Sequence, residues 1–293
     1  MDPLPGIAGP GLTLWPLRSG SSGNCLLIAS GGRAVLVDAG WKAQRDFAEA
    51  IGKAGIAASR IAGILLTHTH VDHFNYTTFR IAEKHGIPLW VHESNWERAY
   101  RSQFLRVCTA GRPWRGDRRF FQFGVPFPVA GGAFEVEACR LSHDGGTPCG
   151  FLVRCAGGEG GDPGVSIGVV TDLGAWDRRL ARFLSRADFL VVESNWDPEM
   201  IASSPRDPVD VARVRSATGH LSNEACAALV CETLRLRGGP VLGVLLAHIS
   251  ADHNTMSRAL ATVRRILAGA GHGRIPVTAA PRGVMADPLI LAR

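Results

Sequence analysis

Cysteine is scarce here and spaced badly for a structural role. The 293 residues hold seven, an odd number, and no two stand as C-x-x-C. That argues against a disulfide framework and against a cysteine-ligated zinc, so a cytoplasmic protein with reduced thiols is expected. Long apolar runs are absent too. Stretches such as VLGVLLA at 241–247 are far too short to cross a bilayer, and no membrane contact is expected. MDPLPGIAGPGL shows no basic segment followed by an apolar one, so no secretory signal is expected. Lysine is nearly missing: only Lys42, Lys53 and Lys84 occur among 32 basic residues. Arginine therefore carries the net charge of +6 and the pI of about 9.2. Its planar fork suits bidentate contact with phosphate, and the sign of the charge favours, weakly, an anionic partner.

No linker exceeds the glycine-rich turn at 157–164, and 46% hydrophobic with 20% charged residues describes a folded chain. We read residues 1–293 as one α/β domain. CLLIAS (25–30) and RAVLVDAG (33–40) flank Gly31 and Gly32 as a hairpin. Helical spacing follows over 42–54, then the buried strand IAGILLT, a helix over 74–86 and the strand PLWVH. Further strands end at His143, Asp172, Glu193 and His248, with a helix over about 222–236 before the last of them.

Histidine is concentrated in one place. LLTHTHVDHF (65–74) sets His68, His70, Asp72 and His73 within six positions, straight after an apolar run. H-x-H-x-D-H arises by chance in roughly six of ten thousand chains of this composition. Imidazole and carboxylate are the ligands that Zn, Mn and Fe accept. His68, His143, Asp172, Glu193 and His248 all lie at or just beyond an expected strand end, which is where α/β proteins build sites.

SGSSGNCLLI, LVDAG, THTHVDH, SHD, TDLG, ESNWD, GHLSNE and LLAHIS, in this order over residues 12 to about 262, resemble the metallo-β-lactamase superfamily. The wording is similar to its YycJ-like (WalJ) group of DNA exonucleases. The resemblance implies an αβ/βα sandwich of two stacked mixed β-sheets with metals at one edge. It implies that His68, His70 and His143 hold one ion, that Asp72, His73 and His248 hold a second, and that Asp172 bridges them. Two divalent ions, Zn²⁺ or Mn²⁺ with Fe also possible, would act as Lewis acids and activate a shared water near neutral pH. Asp72 is then both ligand and catalytic carboxylate. His220 is implied as the general acid, paired with Glu193, which would keep its imidazole protonated. The alternative makes His220 the seventh ligand and His248 structural. Asp38 is either a carboxylate orienting a ligand histidine or a turn residue before Gly40.

Substrate contacts are expected from Ser22, Asn24 and Asn223, and from the arginine-rich stretch 98–119. That stretch holds seven arginines (98, 101, 106, 112, 115, 118, 119) against Asp117, interleaved with Tyr100, Phe104 and Trp114. Guanidinium with aromatic surface suits a nucleic-acid strand, and Arg115, Arg118 and Arg119 are its chosen contacts. His253 is either a substrate contact or a solvated residue at a helix start. HESNW (92–96) echoes VESNW (192–196); only the second copy matches the family's pattern, which usually has His at the position of Trp196. The function implied is a dinuclear phosphodiesterase, most readily a DNA exonuclease. Thioester, lactam or cyclic-phosphodiester hydrolysis and tRNase Z-like RNA processing are the alternatives. No β-CASP-sized insertion or tRNA-binding arm is visible.

Overall fold

The computed structural model describes residues 11–107, 114–155 and 164–292. The first half of the chain gives strands β1 (Leu12–Arg18), β2 (Cys25–Ser30), β3 (Arg33–Val37), β4 (Ile61–Leu65), β5 (Leu89–His92) and β6 (Arg118–Phe121), with helices α1 (Gln44–Lys53), α2 (Tyr76–His85) and α3 (Glu93–Val107). The second half gives β7 (Phe127–Val129), β8 (Phe134–Arg140), β9 (Cys149–Cys155), β10 (Ser166–Val170), β11 (Phe189–Glu193), β12 (Gly243–Ala247) and β13 (Val277–Ala279). Its helices are α4 (Arg178–Leu184), α5 (Pro198–Ala202), α6 (Pro208–Arg215), α7 (Asn223–Arg237) and α8 (Met256–Gly269). A last strand, β14 (Leu289–Leu291), returns to pair antiparallel with β1.

Two seven-stranded sheets result, in the orders β14-β1-β2-β3-β4-β5-β6 and β13-β12-β11-β10-β9-β8-β7. Their central strands are apolar at nearly every position because both faces are covered, while the edge strand β6 carries Arg118 and Arg119. In β2, Leu26 and Ile28 face the core between the sheets, while Leu27 and Ala29 face the layer that holds Phe47 of α1 and Phe79 of α2. A third core packs α4, α7 and α8 against the far sheet. This layering is the αβ/βα sandwich.

Local chemistry sets the boundaries. Gly31 and Gly32, both at positive φ (56° and 74°), make the β2–β3 turn that L-residues resist. Asn75 caps α2 by accepting from Thr77 N and Thr78 N, and Gly86 ends it in the left-handed region. Ser222 caps α7 by accepting from Ala225 N. Five helices, α3, α4, α5, α6 and α8, lie where the sequence gave no helical reading. In α3 the docking residues among those described are Trp96, Ala99 and Tyr100, and the arginines around them mask the period. In α8 the buried residues Ala259, Val263 and Leu267 stand every fourth position. Among the described residues no helix is long and apolar enough to cross a membrane, and six cysteines are free thiols.

Strand direction places the site. β3, β4, β5 and β6 run parallel, as do β10, β11, β12 and β13, while β8 and β10 are each antiparallel to β9. Within each sheet, the strands that carry the expected ligands therefore end at one edge.

Candidate active site

Three residues at that edge turn the chain abruptly. Asp38, Asp172 and His248 have φ of 60°, 60° and 53°, and with Ala130 they are the non-glycine residues at positive φ among those described. Each such turn costs about 1–2 kcal/mol and persists because neighbouring bonds fix it. Asp38 N donates to Leu65 O at 2.9 Å, and His248 N to Ser19 Oγ at 2.9 Å. Glycines allow the loops to meet. A Cβ on Gly40 would lie 1.7 Å from Asp72 O, and one on Gly145 would lie 2.8 Å from the rings of His68 and His70.

Candidate ligand atoms gather in overlapping sets, each within 4.8 Å: His68, His70 and His143; Asp72, His73 and His248; and His68, His73 and Asp172. The first set is purely nitrogen. His143 Nδ1 donates to Gly219 O at 2.7 Å and His68 Nδ1 lies 3.0 Å from Thr67 Oγ1, so the Nε2 atoms face each other across His70. Burial, then the crowding imidazoles, holds His68 well below its usual pKa and His70 below it, which keeps both neutral. In the second set carboxylates reverse the outcome. Burial opposes charge there, but Asp172, Asp72 and Asp38 lift His73 well above its usual value, and Asp172, Asp72 and Glu193 push His248 up to about 10. Asp72 itself, against burial, is held far below the carboxylate range by His73 and His248.

The residues fit metal ions on this structure's own terms. His248 Nε2 and Asp172 Oδ2 are buried and make no hydrogen bond, although the oxygen lies 3.2 Å from His73 Nε2. A nitrogen and an oxygen left without hydrogen-bond partners in a buried, carboxylate-rich pocket suit a cation. Asp38 combines the two roles considered for it, turning the chain before Gly40 and orienting His73. It is 2% exposed, accepts from Thr67 N (2.9 Å), Thr67 Oγ1 (2.7 Å) and His73 Nδ1 (2.7 Å), and so aims His73 Nε2 inward.

Glu193 is a hub. Oε1 lies 2.8 Å from both His220 Nδ1 and His248 Nδ1, while Oε2 accepts from Leu173 N and Leu221 N. Burial would raise its pKa, but the two imidazoles hold it well below the usual range. The two histidines differ in what remains. His248 is buried with Nε2 3.5 Å from Asp72 Oδ2, whereas His220 keeps 12% of its side chain at the surface. Trp196 steadies the His220 loop by donating from Nε1 to His220 O at 2.8 Å.

The other expected contacts divide. Asn24 stands beside the second ligand set, its Nδ2 2.8 Å from His73 Nε2 and 3.2 Å from Asp72 Oδ2, and Ser22 is exposed on the same loop. Asn223 is corrected: it is fully buried and its amide bonds Ser194 Oγ and Asn254, so no face is left for a substrate. His253 is buried as well, with Nε2 on Ser204 Oγ, which fits neither role considered for it. Arg118 and Arg119 lie on the edge strand β6, two strands out from β4, with their guanidiniums over the rings of Trp96 and Trp90; Arg115 is exposed just before that strand. Tyr100 and Trp114 pack with Phe79 and Trp96 and form no stacking platform. Arg112 and the side chains of Phe104 and Arg106 lie outside the described residues.

Sequence reasoning missed Asp144 and Arg213. Asp144 Oδ1 stands 3.2 Å from His70 Nε2 and 3.3 Å from His143 Nε2, and Arg213 of α6 grips the carboxylate with Nε and Nη2. The pair spans 69 residues, and only the neighbouring His143 marks it in the sequence. The ESNW echo also has a use. Asn95 brackets Thr147 through both amide atoms, and Asn195 Nδ2 donates to His248 O, so each holds a loop that carries a candidate ligand.

A sandwich of two mixed sheets with a histidine–carboxylate cage at one edge defines the metallo-β-lactamase class. Residues 33–237 match the family described as the beta-lactamase superfamily domain, and the chain belongs to it. It is similar to the exodeoxyribonuclease YycJ of Bacillus anthracis, at 29% identity over 90% of this chain and 92% of that one. It is also similar to the exodeoxyribonuclease WalJ of Streptococcus pneumoniae, at 28% identity over 88% of each. The crystal structure of the metallo-beta-lactamase fold protein YhfI from Bacillus subtilis shares the fold, with a TM-score of 0.64 at 16% identity over 94% of this chain and 99% of that one. Fold, family and cage make this a metal-dependent hydrolase.

Proposed function

We propose that the chain is a cytoplasmic, dinuclear phosphodiesterase acting on DNA as an exonuclease. The observation that carries the reading is the cage itself: two ligand sets that meet at Asp172, whose Oδ2 is buried and unbonded. The relatives named exodeoxyribonuclease and the net charge of +6 support a nucleic-acid substrate. His68, His70 and His143 would hold one ion, Asp72, His73 and His248 the other, with Asp172 between. Bound there, Zn²⁺ or Mn²⁺ would supply Lewis acidity toward a phosphodiester and activate water near neutral pH.

The chain supplies orientation and a proton. Asp38 and Glu193 fix the far nitrogens of His73 and His248, so both Nε2 atoms point inward. His220, its Nδ1 hydrogen-bonded to Glu193, offers Nε2 as the proton donor to the leaving oxygen. A second arrangement rests on one observation: Asp172, Glu193, His220 and His248 also bring ligand atoms within 4.8 Å. It would make His220 a ligand and leave the leaving group to solvent.

The test is to load the purified protein with Mn²⁺ or Zn²⁺ and offer end-labelled DNA, end-labelled RNA and an acyl thioester. Progressive shortening of DNA is expected. Thioester cleavage with both nucleic acids intact would overturn the reading.

A further inference from the structure

We infer that the groove beside His143 is the seat of the nucleotide next to the scissile phosphate, on a single strand of nucleic acid. This rests on the phosphodiesterase reading and deepens it. The groove encloses about 770 Å³, within the roughly 300–1,000 Å³ of sites that bury a small organic molecule. It begins at His143, in the nitrogen set of the cage, and runs between the end of β8 and the start of α4. Its cage end lies beside the Asp144–Arg213 pair: Asp144 N donates to the carbonyl of Thr218, a wall residue.

Three features of the wall identify the occupant. Trp176 gives aromatic surface beside the buried Phe183, and the Trp176 ring is fixed because Nε1 donates to Ala225 O at 3.0 Å. Every base has a π-face, so such a surface accepts bases without regard to sequence. Arg140 at the end of β8 and Arg179 at the start of α4 line the groove from its two flanking elements, both exposed, and neither forms an ion pair among the described residues. Glu135 and Glu137, near Arg140 on β8, are already paired with Arg154 and Arg186. The groove's one acid, Asp177, is also engaged, with Oδ1 accepting from the backbone of Arg179 and Leu180 at the start of α4. Two guanidiniums without an ion pair, a fixed aromatic wall and a position beside the cage suit a strand whose phosphates meet the arginines while a base lies against the tryptophan.

Binding is measured with metal chelated, so that no cleavage intervenes, by fluorescence anisotropy of a labelled oligothymidylate over a range of salt. The Arg140→Ala/Arg179→Ala double variant is expected to bind about tenfold more weakly, with its log–log salt slope reduced by about 1.4, the value for two lost single-strand phosphate contacts. Trp176→Ala is expected to lose a similar factor and Trp176→Phe to recover most of it. Arg33→Ala/Arg45→Ala makes the same charge change at exposed positions outside the groove and is expected to bind like the unaltered protein. Equal weakening by this control would overturn the proposal in favour of diffuse charge attraction, and so would unaltered binding by the arginine double variant. A dimer that the groove variants dissociate would overturn it in favour of a second copy as occupant. If Trp176→Ala fails to fold, the exposed arginine pair still decides. The phosphodiesterase reading fails separately, on the unaltered protein's inability to shorten DNA.

Discussion

Asp38 and Asp172 occupy corresponding places. Each follows the fourth strand of its sheet, β3 or β10, the first to pair in parallel with the next, and each has φ of 60°. The two sheets match strand for strand in order and direction, from β14 beside β7 to β6 beside β13. Their carboxylates nevertheless serve different ends. Asp38 is saturated by Thr67 and His73, whereas Asp172 keeps an oxygen that nothing bonds. The same contrast separates the histidines at the ends of β5 and β12. His92 stacks on Phe123 at 4.7 Å and bonds Ser94, while His248 presents a free Nε2 to the cage. One backbone plan thus sets carboxylate and imidazole at equivalent points, and the local partners decide which can hold an ion.

The sharpest way to break this comparison is to exchange the burdens. Asp172→Ala should abolish turnover and lower the metal content below the proposed two ions per chain, read by elemental analysis. Asp38→Asn should be milder, about 10- to 100-fold in metal affinity or activity, the usual cost of losing an orienting partner. Equal losses at the two positions would end the distinction between them. Between these extremes stands His220→Ala, expected to keep both ions while kcat falls by roughly 10² to 10⁴, as for a lost general acid. His248→Ala should instead lose or loosen one ion. Metal loss that follows His220 would invert the assignment.

A smaller effect tests the charge contrast between the two ligand sets. Without metal, His248 at about 10 and His73 above its usual value contribute stability that is whole below pH ~6.5 and is lost as pH rises toward 10. His68 and His70, held low by burial, contribute stability that is present above ~6.5 and lost as pH falls below it. The melting temperature in EDTA should therefore peak near pH 6.5. Metal should flatten the alkaline limb, because ligand imidazoles must be deprotonated to bind. An EDTA curve that stays level from pH 6.5 to 10 would contradict the charge pattern.

Much of this was readable along the chain, because several cage residues sit where an apolar run stops. His68, Asp172 and His248 announce themselves as polar side chains straight after strands buried on both faces, and Gly31 and Gly32 as a turn. What stayed hidden depends on contacts between distant segments. Nothing near Asp144 foretells Arg213, and nothing in GHLSNE shows that Asn223 turns inward to Ser194 and Asn254. The helix α6 buries no residue, so no periodic signal exists to find it. The stretch 98–119 misled for a similar reason: composition does not show that Tyr100 and Trp114 close over Phe79.

That stretch supplies the smallest expected effect. Arginines interleaved with aromatics suggested a strand-binding surface, but in the fold the pairing is internal. Arg118 lies 5.0 Å from the Trp96 ring centre, and Arg119 lies 5.3 Å from that of Trp90 and also pairs with Asp117 at 3.0 Å. Cation–π contacts at exposed sites contribute about 0.5–1 kcal/mol each, so Arg118→Ala/Arg119→Ala should lower the melting temperature slightly. The KM for DNA should stay within about twofold, since each lost phosphate contact would otherwise show as roughly one unit of salt slope. Among the arginines of the stretch whose side chains are described, Arg98 has the better claim on substrate. Its Cδ lies 3.4 Å from where a Cβ on Gly146 would stand, next to the Gly145 against which His68 and His70 pack. Arg98→Ala should raise the KM more than the β6 pair does. A larger rise from Arg118 and Arg119 would return the binding surface to the edge strand.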